Sequence, residues 1–290
     1  MENSVNVNQK TFLGHPMGLF ILFFTELWER FSYYGMRAIL VLYLVSETSG
    51  DNPGMGWSDS SALALYGWYT MFVYLATIPG GILADRYLGQ RKSVMLGGLL
   101  LCFGHGILAL EALWAFYTGL VFIVLGVGCL KGNISTMVGG LYGKDDHNKR
   151  DMGFYIFYMG INIGAAVSAL LVGYVGEVYN WHYGFGLAGI GMAIGQIGYW
   201  KGQKYLTHVG NLIKLEPNKE DKSDNLFLQI FKKTNSLVGF SVTALIGLFI
   251  GYSGSWDYGL LFIGIAFAVG FAIVVYNDGN KIEKDRILVT

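Results

Sequence analysis

Residues 26–37 read Glu26-Leu-Trp-Glu29-Arg30-Phe-Ser-Tyr33-Tyr34-Gly-Met-Arg37. They lie inside a stretch, 17–45, that is otherwise apolar enough to span a membrane. Spacings of three, four, seven, eight and eleven put Glu26, Glu29, Arg30, Tyr33, Tyr34 and Arg37 on one broad helix face. An ionisable side chain near the bilayer centre costs roughly 2.5–3.5 kcal/mol, whereas a Leu, Ile or Phe returns only about 0.3–0.6 kcal/mol. Four such groups are too costly for a helix bathed in lipid. The face is therefore expected to line a bundle interior or a watery cavity, which makes its residues the leading functional candidates.

The whole chain fits that reading. Charged residues make up 14% and apolar residues 53%, with 42 glycines among 290 residues, a composition suited to close-packed membrane helices. The first sixteen residues lack a basic region and a small-residue cleavage site, so the first apolar stretch is expected to remain as a spanning helix. Cys102 and Cys129 both fall in apolar stretches and suggest neither a disulfide nor a metal site. A net charge of zero gives no support for a nucleic-acid partner. No Walker loop, metal-ligand cluster or nucleophile–base pattern points to an enzyme or a bound cofactor.

Apolar stretches near 17–45, 60–84, 93–113, 114–141, 153–178, 183–203, 235–253 and 258–276 predict eight spans. The connectors sort by charge. Those at 46–59, 111–114, 178–182 and 254–257 hold no Lys or Arg. The alternate set holds every basic residue except Arg30, Arg37 and Lys131, which lie within spans. The positive-inside rule then puts the N-terminus in the cytoplasm. Short connectors make residues 1–206 one six-helix bundle, and the polar segment 207–234, with Pro217, reads as a cytoplasmic linker. Residues 235–277 hold two uncharged spans that read as lipid-facing, peripheral helices.

The loop after the second span reads Gly80-Gly81-Ile-Leu-Ala84-Asp85-Arg86-Tyr-Leu-Gly89-Gln-Arg91-Lys92. It resembles the signature loop of the major facilitator superfamily, which implies a cytoplasmic latch of Asp85, Arg86, Arg91 and Lys92 against neighbouring helix ends. The first and fourth spans open two three-helix halves, one carrying Glu29, Arg30 and Arg37 and the other Lys131 and Asn133. Inverted three-plus-three repeats of this kind build each half of such transporters. Four further motifs name a family: the quoted run 26–35, Phe72-Val-Tyr74, Leu130-Lys131-Gly132-Asn133-Ile-Ser-Thr, and Gly160-Ile-Asn162-Ile-Gly164. Together they are similar to the proton-dependent oligopeptide transporters of bacterial type, over essentially the first 205 residues.

The resemblance implies an all-α membrane protein of the major facilitator fold, with an N-terminal six-helix bundle and two linker helices. Residues 278–290 would begin a C-terminal bundle that this sequence lacks. It also implies a proton-coupled symporter of di- and tripeptides in the bacterial inner membrane, with protons as coupling ion and no other cofactor. Glu26, Glu29 and Arg30 would carry proton coupling. Arg30, Tyr33, Tyr34, Arg37, Tyr74, Lys131 and Asn162 would bind substrate, with Arg37 facing a partner in the second bundle. The residue chemistry stands beside this. Arg30 and Lys131 can bridge a carboxylate, Asn162 can both donate and accept, and the tyrosines offer apolar faces with polar tips. The cations alone fit another small carboxylated or anionic solute equally well, and a truncated, non-transporting partner of another chain is a further reading. The family commonly has Pro where this chain has Gly132, which leaves the local helix less fixed. Pro79-Gly80-Gly81 reads either as a kink or as a helix terminus. His105, like His147 and His182, reads as a hydrogen-bonded packing residue rather than a proton carrier.

Overall fold

The computed structural model describes residues 10–143 and 145–212, all within one compact unit, Met1–Lys214. The rest of the predicted linker 207–234, the two uncharged spans at 235–277 and the segment 278–290 lie outside the described residues. A short antiparallel hairpin, β1 (Thr11–Phe12) and β2 (His15–Pro16), leads into α1 (Met17–Val45). There follow α2 (Asp59–Leu75), α3 (Thr77–Leu83) with a π-helical turn at Ala84–Leu88, α4 (Gln90–Leu108), α5 (Leu113–Gly140), α6 (His147–Val178) and α7 (Trp181–Gly202). At 1.5 Å per residue α1 is about 43 Å long, enough to cross the hydrocarbon core with both headgroup layers. Three helical segments, Asp59–Leu88, Leu113–Gly140 and His147–Val178, also pass a strict test of length and low charge. The charged run 26–37 keeps α1 from passing the same test, and that cost is settled by packing.

α1 is the central element, packed along α6 and α7, while α4 packs on α5 and α7. Small residues make the close approach possible. Gly160 and Gly164 of α6 receive Phe23 and the Leu27–Arg30 backbone turn, and Gly191, Gly195 and Gly202 of α7 receive Phe31, Trp28 and Ile21. Where lipid tails are as apolar as leucine, such backbone contact is what favours helix against helix. The result buries Glu26, Glu29 and Arg30 together with Leu22, Met36 and Ile39.

The second predicted span, 60–84, is not one helix but two. It breaks at Ala76, three residues before Pro79, because proline has no N–H to pair with the carbonyl four residues back at Leu75. Pro79-Gly80-Gly81 is thus a kink inside the span. At this kink the chain crosses α5 at backbone contact, since a Cβ on Gly80 would collide with the Gly128 carbonyl and one on Gly128 with the Ala76 carbonyl. Asn133 secures the crossing, donating from Nδ2 to Cys129 O at 2.8 Å and more weakly to Gly80 O at 3.4 Å. α4 ends at Leu108, short of the predicted 113, and α6 starts at His147 rather than 153.

The two ends of the bundle differ in charge. At one end Asn52 binds the Gly176 carbonyl and the Trp181 N–H, and His182 meets the Leu108 carbonyl, so the connectors 46–58, 109–112 and 179–180 cluster there. Their ionisable residues are acidic: Glu47, Asp51 and Glu111. At the opposite end the hairpin, Gly89, Tyr142 and residues 205–212 meet, and Lys10, Arg86, Lys92, Lys149, Arg150, Lys201 and Lys204 gather there on the surface, outnumbering Asp85, Asp145, Asp146 and Asp151.

Candidate functional site

Helical periodicity presents one face of α1 to the interior, and the packing of α6 and α7 removes it from solvent. Glu29 is fully buried, and Glu26 and Arg30 are each 3% exposed. Arg30 Nε donates to Glu29 Oε2 and lies 3.1 Å from Glu26 Oε1, the i,i+4 partner. One guanidinium thus bridges two carboxylates, which leaves the cluster one negative charge over. Lys131 of α5 lies within electrostatic range of all three and supplies the second cation. Glu26 Oε2, Glu29 Oε1 and Arg30 Nη2 have no hydrogen-bond partner among the described residues. Each orphan of this kind costs about 1–3 kcal/mol. Such a cluster weakens the fold locally while keeping polar groups ready to change partners.

One turn further along, Arg30 and Arg37 sit on either side of Tyr33 and Tyr34, with guanidinium carbons 5.4–5.9 Å from the ring centroids. Half-buried Arg37 also donates from Nε to the Tyr66 hydroxyl at 2.9 Å and lies over that ring. Lys131 Nζ stands 4.2 Å from the centroid of Tyr74, whose ring is otherwise half exposed. These cations thus rest on ring faces, an arrangement that holds a charge without neutralising it. Asn162 is exposed on α6 and spends its amide on its own helix, donating to Tyr158 O at 3.0 Å. Sequence reasoning missed Tyr66 and buried Tyr69, whose hydroxyl faces the same charges. The spacing Tyr66, Tyr69, Val73 carries a helical stripe that would have marked them.

A buried Glu–Glu–Arg cluster beside a ring-seated lysine, in a glycine-packed helical bundle, can now be set against known proteins. The model of the POT family matches residues 91–246. The chain belongs to the POT family. It is 42% identical to a di-/tripeptide transporter of Lactococcus lactis subsp. cremoris over 99% of this chain and 57% of the relative. It is 46% identical to a peptide transporter of Yersinia enterocolitica over 67% of this chain and 38% of the relative. A crystal structure of a peptide transporter POT in complex with sulfate superposes with a TM-score of 0.74 at 40% identity, covering 97% of this chain and 57% of that one. The chain therefore spans about half the length of the relatives it matches. It is a membrane protein of the major facilitator type, and these relatives are transporters.

The remaining candidates of this POT chain sort by contact. In the loop 80–92, Asp85 accepts a long 3.4 Å bond from Gln90, and Lys92 is exposed. A tie to the end of α7 and the segment after it runs through backbone: Arg91 N–H donates to Gly210 O, and Arg91 O accepts from the Tyr199 hydroxyl, both at 2.9 Å. Gly89 makes this possible, with φ of 78° and residues 210–212 packed where a Cβ would stand. Gly132 leaves α5 unbroken beside Lys131, with open space over its Cα. His182 is hydrogen-bonded as expected, and His147 lies 3.3 Å from Arg150 Nη2. His105 differs from expectation. It is wholly buried against Gly189, and neither ring nitrogen has a partner among the described residues. The Arg37 contact gives a direct prediction: Tyr66→Phe lowers stability by about 1.5–3 kcal/mol through loss of the charge-assisted bonds from Arg37 Nε and Nη2. A thermal-unfolding series of Tyr66→Phe, Arg37→Gln and the double variant checks it, with non-additive losses expected.

Proposed function

We propose that this chain forms the N-terminal part of a proton-coupled symporter that imports di- and tripeptides by alternating access. Its setting is the bacterial inner membrane, with the basic end and N-terminus cytoplasmic. A peptide of variable side chains offers constant groups to grip. Arg30 and Lys131 take its carboxylate, Asn162 its amide or amine, and Tyr33, Tyr34 and Tyr74 its side chains. Arg37 pairs with a group of a second six-helix bundle. Protons are the coupling ion, and no other cofactor takes part.

The observation that carries this reading is the buried Glu26–Glu29–Arg30 cluster with Lys131 in range. It is supported by a relative whose name specifies di- and tripeptides. When a substrate carboxylate competes for Arg30 or Lys131, a carboxylate is released from its cation and takes up a proton. Substrate and proton then move together. A second reading, uptake of another small anionic solute, is favoured by Lys131 resting on a ring without a direct ion pair among the described residues, and by the sulfate bound in a similar transporter. Competition of labelled dipeptide against nitrate and free amino acids separates the two.

The test joins residues 1–290 to the C-terminal remainder of the Lactococcus lactis relative in proteoliposomes. Glu29→Gln is expected to keep dipeptide counterflow and lose accumulation driven by a pH gradient. Accumulation that persists in this variant removes Glu29 from coupling. Residues 1–290 alone are expected to show no uptake.

A further inference from the structure

The hairpin that precedes α1 serves none of the chemistry described, yet it is built with care and at a cost. Leu13, at its tip, holds φ of 48°, the left-handed region, and is 76% exposed. A leucine is disfavoured there and gains nothing from burial, so glycine or asparagine would be the expected choice. Phe12 beside it is 51% exposed. The tip is nevertheless held in place. Met17 N–H donates to Lys10 O at 2.9 Å, the Phe12 ring sits edge-on to Phe20 at 5.0 Å, and His15 Nδ1 lies 2.9 Å from the Tyr142 hydroxyl. Two large apolar side chains are thus presented outward on a rigid mount.

Two further observations say what they meet. α1 begins immediately after the hairpin and is long enough to reach through both headgroup layers, so its first residue lies at the level of the membrane surface. The surface around this end is basic on balance, with Lys10, Arg86, Lys92, Lys149, Lys201 and Lys204 exposed beside Asp85, Asp145, Asp146 and Asp151. Apolar tips flanked by lysine and arginine match the boundary between acyl chains and anionic headgroups. We infer that Phe12 and Leu13 insert into the lipid–water interface of the leaflet at the basic end, anchoring the start of α1 beside anionic lipid. The contact fixes the height of α1, and with it the depth of Glu26, Glu29 and Arg30 in the membrane. The inference rests on the orientation proposed above only for the identity of the leaflet.

The test uses the 290-residue chain with Cys102 and Cys129 replaced by serine and alanine, reconstituted in vesicles with and without phosphatidylglycerol. A bimane label on Leu13→Cys is read against the same label on Lys201→Cys as an aqueous reference. Quenching at Leu13 by a shallow doxyl lipid, exceeding iodide quenching and rising with phosphatidylglycerol, is expected. Iodide quenching equal to that at Lys201 overturns the inference. Protection from both quenchers also overturns it, since the tip is then covered by protein. A label on Phe12→Cys repeats the reading should the Leu13 variant reconstitute poorly. Iodide added on one side only, with the Lys201 label, reports orientation, so a wrong orientation is seen separately from an absent lipid contact.

Discussion

Replacing Arg30 with leucine is expected to lower the unfolding free energy by about 3–5 kcal/mol, because it leaves two buried carboxylates with no guanidinium between them. Both partners sit on the same helix with Arg30 3% exposed, so water cannot easily replace the lost charge. The loss belongs to the unpaired charges and not to the missing side chain. Glu26→Gln and Glu29→Gln in the same chain as Arg30→Leu should therefore restore most of it, as seen for buried ion clusters exchanged for neutral groups. Unfolding by steric trapping in bicelles measures the three steps. A triple variant no more stable than Arg30→Leu alone would locate the cost in packing.

The second large effect lies at the kink. Gly80→Ile is expected to cost about 3 kcal/mol or more, since its side chain must displace the backbone of α5 at Gly128 rather than a flexible neighbour. It also pushes away the Gly80 carbonyl that Asn133 reaches at 3.4 Å, two residues from Lys131. Gly81→Ile is the control. Nothing lies within 4 Å of a Cβ there, so its effect should stay within about 0.5 kcal/mol. The same unfolding assay, run on both variants, reads the difference. Equal effects would show that the crossing of α3 over α5 is looser than its geometry.

These sites differ in how far they could be read from sequence. The bounds of α1 coincide with the apolar stretch 17–45, because length and hydropathy alone set a spanning helix. Its buried face was legible for the same reason that it is costly: charges in a span must turn inward. The break at Ala76 was not legible, since proline acts on a carbonyl four residues back and Pro79 marks the cause rather than the place. The hairpin escaped notice because its strands are two residues long and its turn uses Leu13-Gly14 instead of a common turn pair. Lys131 over Tyr74 and Arg37 against Tyr66 are pairings between different helices, and in a chain with 19 tyrosines no single ring stands out. Asn162 shows the limit of periodicity, which finds a face without telling what covers it.

The central claim is that substrate carboxylate and proton exchange through the Glu26–Glu29–Arg30 cluster. The most direct measurement is calorimetric titration of a dipeptide into the joined transporter in buffers of different ionisation enthalpy, which counts protons taken up on binding. The account predicts net proton uptake with the native cluster, lost in Glu29→Gln and absent for a dipeptide amidated at its C-terminus. Proton uptake unchanged by Glu29→Gln, or equal for the amidated peptide, would contradict it.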